Sequence, residues 1–108
     1  MDGFKMTDMP ALYRKLALNS AMANSRLSAA FVELQADEFE APRISFFPSL
    51  KLTMEHLLDA DRFYAGFLSS TFEHVCPRGR RTAPADFAAE RLAVDQWYLA
   101  FCDNLDSA

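Results

Sequence analysis

The sequence has little with which to punctuate a β-rich fold: only three glycines, Gly3, Gly66 and Gly79, occur in 108 residues. Tight hairpin turns draw on glycine for backbone conformations that other residues resist, so this scarcity favours long helices. Cysteine is scarcer still. Cys76 and Cys102 are too few for a disulfide framework and lack the C-x-x-C spacing of a zinc or redox site, which suits reduced thiols. Positive charge is not in excess either: eleven basic against fifteen acidic residues give a net charge of −4. That balance excludes a general binder of nucleic acid or anionic membranes, because displacing phosphate counterions needs a cationic surface. No apolar run approaches the roughly 20 residues needed to span a bilayer. The start, Met1-Asp2-Gly3-Phe4-Lys5-Met6, has neither the charge pattern nor the apolar core of a signal peptide. A cytoplasmic protein with no nucleic-acid and no membrane partner is the expectation.

Apolar material, by contrast, is ample. Hydrophobic residues make up 51% of the chain, including ten Phe, three Tyr and one Trp, enough for the core of a single domain over residues 1–108. Pro10 suits a first helical turn, and residues 10–35 repeat at helical spacing through Leu12, Leu16, Ala23, Leu27, Phe31 and Leu34. Residues 36–47 break that period and read as a loop, an unusually apolar one at Ile44, Phe46 and Phe47, packed over the bundle end or a site mouth. A second helix over 49–72 carries the stripe Leu50, Met54, Leu57, Leu58, Tyr64 and Leu68. Beside it lies a second stripe, His56, Ala60, Phe63 and Phe67. After a polar loop holding Arg78, Arg80 and Arg81, Thr82 and Pro84 announce a third helix over 84–105, with Phe87, Val94, Tyr98, Phe101 and Leu105 as its stripe. Three helices of similar length predict an all-α fold, an antiparallel up-down bundle.

His56 is the most informative single residue. An imidazole in mid-helix either packs against a hydrogen-bonding neighbour or presents a ring nitrogen to a metal, and position alone favours the first. Asp59, one turn on, is the candidate second ligand or orienting group, although a solvated acidic face formed by Glu55, Asp59 and Asp61 explains it equally well. His74 lies eighteen residues further on, about 27 Å along a continuous helix, too far to share a metal with His56. The three arginines read as a solvated loop, and Phe63, Phe67, Phe72, Trp97 and Phe101 as core. No phosphate-cradling glycine loop and no H-E-x-x-H occur.

The loop and second helix together carry a resemblance. Leu34-Gln35-Ala36-Asp37-Glu38-Phe39, Ala41-Pro42-Arg43, Phe46-Phe47-Pro48-Ser49-Leu50, Thr53-Met54-Glu55-His56-Leu57-Leu58 and Asp61-Arg62-Phe63-Tyr64 occur in that order. This ordered block resembles the DinB/YfiT-like family, whose pattern runs L-x-x-[DE]-E-L, F-F-G-S-I, T-L-N-H-[IL]-L and D-R-x-W. Met22-Ala23-Asn24 with Arg26-Leu27 falls where members read W-A-N. The resemblance covers residues 10–105. Pro48 stands where the family has glycine, and Glu55 where it has asparagine.

The resemblance implies a four-helix bundle that holds a divalent metal, zinc or nickel, through three histidines. Members act as thiol-linked transferases, isomerases or hydrolases, and many are homodimers. His56 matches the first family histidine. The other two form an H-x-x-x-H pair on a fourth helix, and this sequence contains no such pair. The implied function is therefore a DinB-like metal-dependent enzyme with an incomplete site, His56 being its ligand and Asp59 a second candidate. The alternative is a non-catalytic dimerisation or binding module that keeps the fold. A third reading is a small-ligand pocket without metal, bounded by Phe46, Phe47 and Phe63. Three helices shaped to surround a fourth should also leave an apolar groove, which a second copy, a separate partner or a further helix would fill.

Overall fold

A computed structural model describes residues 9–42 and 49–105, and among them every regular element is a helix. These are α1 (Met9–Phe31), α2 (Ala36–Glu40), α3 (Leu50–Leu68), α4 (Phe72–Val75) and α5 (Pro84–Leu105). The three long helices occupy the regions their apolar stripes indicate, and the ends differ for local reasons. α1 stops four residues short of the expected end: Leu34 donates to the Phe31 carbonyl in a tight turn, and a short capped helix follows. The cap is reciprocal, with the Gln35 N–H donating to the Glu38 carboxylate at 3.1 Å. This turn carries Phe39 into the core, so part of the expected loop is helical. Ile44, Phe46 and Phe47 lie outside the described residues.

α3 begins where Ser49, in extended backbone, accepts the Leu52 N–H on its hydroxyl at 3.1 Å. It ends at Leu68, four residues before the expected stop, where Ser69 turns extended and its N–H closes on the Ala65 carbonyl. Pro84 opens α5, and the Asp86 carboxylate accepts the N–H groups of Thr82 and Ala83 at 3.0 and 2.8 Å. Those two bonds hold the exposed Asp86 carboxyl below its usual range, Ala83 contributing most.

Direction is the larger departure from expectation. Along α1 and α5, Arg14 pairs with Asp103, Asn24 with Asp95, and Phe31 reaches Phe87 through Phe39, so these two helices are antiparallel. Along α3 and α5 the order rises together: Asp61 takes Arg91, and further on Leu68 lies with Phe101 and Leu105. α3 and α5 are parallel, and the simple up-down alternation breaks there. The reason is the length of the connection. Residues 69–83 span up to about 50 Å when extended, enough to return along a helix of 19 residues, itself about 28 Å long. Periodicity fixes which face a helix buries and is silent on which way it runs.

α5 is the central element. α1 packs along one of its flanks and α3 along another. Between them the core collects Phe31, Phe39, Met54, Leu58, Ala65, Phe72, Phe87 and Val94. Its aromatic members meet in pairs: Phe31 stacks on Phe39 at 5.5 Å, Phe39 meets Phe87 edge-on at 5.3 Å, and Phe72 meets Trp97 at 4.9 Å. Each such side chain contributes roughly 1.5–3 kcal/mol on burial. Most of the α1 stripe does not join them. Only Phe31 of that helix is buried, while Leu12, Leu16 and Leu27 stay 39–53% exposed.

Candidate functional site

The exposed stripe of α1 and a matching set on α3 form the walls of a groove whose floor is α5. At one end it is lined by Tyr13, Leu16, Ala17 and Ser20 of α1, Leu68 of α3, and Tyr98, Phe101, Cys102 and Leu105 of α5. This part encloses about 610 Å3, within the range of built ligand sites. Towards the other end the walls close, and Leu27, Leu57, Met54 and Phe87 leave only about 10 Å3. Leu16 and Leu68 remain 53% and 52% exposed, and Leu57 43%. Isolated surface leucines are ordinary, whereas these form one contiguous apolar patch on two facing helices.

Midway along the groove stands a polar cluster. One guanidinium nitrogen of Arg91 donates to Asp61 at 2.7 Å and to Asp95 at 2.8 Å. The Asn24 amide of α1 donates to both oxygens of Asp95, each at 3.2 Å. The Tyr98 hydroxyl donates to the Asp61 carbonyl. Three helices are thus tied together at one level. Burial pushes the Asp95 carboxyl up, and the charge and hydrogen bond of Arg91 only partly oppose this. Burial also pushes the Tyr98 phenol up to about 12, with help from the Asp61 charge, so it stays a neutral donor. The Nε of Arg91 is buried without a hydrogen-bond partner. Cys102, on the same floor, has its thiol pushed up by burial and is a poor nucleophile.

A second polar cluster fills the α3–α5 seam on the side of the crossover. Glu90 lies between two arginines: Arg81 makes a paired contact at 2.8 and 2.7 Å, and Arg62 stands 3.5 Å away. Arg62 also donates to Glu73 and to the Cys76 carbonyl, and its guanidinium lies 4.8 Å from the centre of the Phe72 ring. Burial pushes the Glu90 carboxyl up, but the bond and charge of Arg81 with the charge of Arg62 outweigh it, leaving Glu90 below its usual range. The bond to Glu90 likewise holds Arg81 above its usual range, against burial. Arg81 is therefore a buried strut rather than a residue of a solvated basic loop.

His56, Asp59 and Phe63, the described members of the site read from the sequence, line neither part of the groove. His56 is exposed on α3. Asp59 accepts Arg81 at 2.7 Å and has Arg78 at 3.6 Å, so its carboxylate is already engaged. Phe63, expected in the core or at a pocket, is 63% exposed; it meets Tyr64 and Phe67 edge-on at 5.7 and 5.5 Å. Phe67 is 80% exposed, and the two line a shallow concavity with Arg62, Gly66 and Glu73. His74 lies exposed in α4. Phe46 and Phe47 fall outside the described residues. Among the described residues no three His, Cys, Asp or Glu side chains group as metal ligands would. No helix among them is long and apolar enough to cross a membrane.

Sequence reasoning missed Asp61, Arg91 and Asp95 as a unit. One signal was available. The α5 stripe passes from Phe87 to Val94, skipping the position between them, and Arg91 stands there with Asp95 one turn on. A charge at a core position implies a buried partner. In the comparisons with known proteins, no family model, no curated protein and no solved structure matches this chain.

Proposed function

We propose that this chain is a helix-docking module of DinB-like architecture: α1, α3 and α5 act as three helices of a four-helix arrangement, and the groove receives the fourth. The observation that carries this reading is the pair of apolar walls, Leu16 and Leu27 on α1 facing Leu57 and Leu68 on α3 over the floor of α5. From Tyr13 to Leu27 the wall runs about 21 Å, four helical turns, which suits a helix better than a compact ligand. The ordered sequence block over residues 34–64 supports the DinB-like part of the reading.

A synthetic 20-residue amphipathic helix with a Leu/Ala face tests it by calorimetry and amide exchange. Binding should protect amides along α1 and α3 and should disappear in Leu16→Glu. A peptide that leaves those amides unprotected sinks the reading.

A homodimer is the second reading, favoured by the exposed stripe Phe63, Tyr64 and Phe67 on α3. Light scattering should then give twice the chain mass, and Phe67→Asp should halve it. The metal-dependent transferase or hydrolase rests on His56 and the family resemblance, with Asp59 committed to Arg81. Stoichiometric zinc or nickel on the purified protein, lost in His56→Ala, would put that reading first.

A further inference from the structure

We infer that the helix seated in the groove carries a lysine or arginine in the middle of its apolar face, opposite Asp61 and Asp95. This rests on the helix-docking reading and adds the chemistry of the partner. The groove is largely apolar, and at one level Asp61 of α3 with Arg91 and Asp95 of α5 brings charge into it. Two carboxylates there share a single guanidinium, since the same nitrogen of Arg91 serves both. The cluster therefore holds one negative charge more than it neutralises.

The two acids are not equivalent. Asp95 is 7% exposed and receives the Asn24 amide on both oxygens besides Arg91. The Asp61 side chain is 43% exposed, and Arg91 is its one side-chain donor among the described residues. At present water solvates it. A helix laid over the groove removes that water, and an uncompensated carboxylate at a covered, apolar site is strongly unfavourable. An apolar or acidic residue at that level leaves the penalty in place. A lysine or arginine removes it and adds a charge-assisted hydrogen bond in a site of low dielectric. The net −1 of the cluster thus selects among helices that the leucine walls alone would accept.

Three synthetic 20-residue helices of one Leu/Ala design test this, differing only at the central apolar-face position: lysine, norleucine or glutamate. On the wild-type chain the lysine peptide should bind at least tenfold tighter than the norleucine peptide, with glutamate weakest. Asp61→Asn should abolish the lysine preference, because norleucine then covers no excess charge and binds at least as tightly as it does to the wild type. Equal affinities for lysine and norleucine, or a preference that survives Asp61→Asn, overturn the inference but leave helix docking intact. If none of the three binds, docking itself fails and the inference with it. A stable dimer dissociated by Leu16→Glu assigns the groove to a second copy and likewise overturns the inference.

Discussion

The two flanks of α5 solve opposite problems. On the crossover side charges are buried and paired: Glu90, 5% exposed, is enclosed by Arg62 and Arg81, and those arginines reach Glu73, Asp59 and the Cys76 carbonyl, while Nη1 of Arg62 makes no hydrogen bond. On the groove side apolar side chains stay in water, with Tyr13, Leu16, Leu57 and Leu68 all more than 40% exposed. A chain that shields its ions and bares its leucines has placed its self-sufficiency on one flank. The difference teaches where tertiary stability resides and where apolar surface is left uncovered.

The sharpest way to break the closed flank is Glu90→Ala. It strands two arginines, each with a side chain 5% exposed, and should lower unfolding free energy by about 3–5 kcal/mol in urea titration. Leu58→Ala, at a side chain 1% exposed, should cost about 2–5 kcal/mol by the same measurement. Acid separates the two clusters further. Glu90 has a lowered pKa in the folded chain, so its contribution is complete above the ordinary carboxyl range and is lost as pH falls through the folded value. Asp95 has a raised one, so its ionised form weakens the fold and protonation relieves this as pH falls. Unfolding followed between about pH 3 and pH 6 should show a shallower acid loss in Glu90→Gln and a steeper one in Asp95→Asn than in the wild type.

Smaller effects belong to the open flank. Tyr98→Phe removes the hydrogen bond to the Asp61 carbonyl and should cost about 1 kcal/mol. Leu16→Gln should change stability by less than about 0.5 kcal/mol, because its side chain is already half in water. A loss above 2 kcal/mol there would mean that the groove is closed in solution.

How much of this was legible in the sequence follows from the kind of signal each feature leaves. The long helices announced themselves because Leu50, Met54, Leu57 and Leu58 repeat over several turns. The short ones, α2 and α4, did not, since five and four residues hold little more than one turn of period. Phe39 and Phe72, both fully buried, are carried by those short helices. The α1 stripe marks a helix with one apolar face, but a stripe records that a helix wants a partner without saying whether the chain supplies one. Asp61 fits a solvated acidic face, and Arg91 and Asp95 leave no mark, because in sequence they look alike whether they face water or each other. His56 and Asp59 drew attention as ligand types, whereas packing directs Asp59 to Arg81.

The parallel run of α3 and α5 has a consequence for synthesis. α1 and α3 each lean on α5 and make little contact with each other, and α5 is the last of the described helices to be made. Neither earlier helix can settle into tertiary structure while Pro84–Leu105 is still in the ribosomal tunnel. Until then two amphipathic helices, α1 and α3, wait with much of their apolar faces bare. Folding is thus set by the arrival of one late segment, and the part of a nascent chain already outside the tunnel should stay protease-sensitive until α5 has emerged.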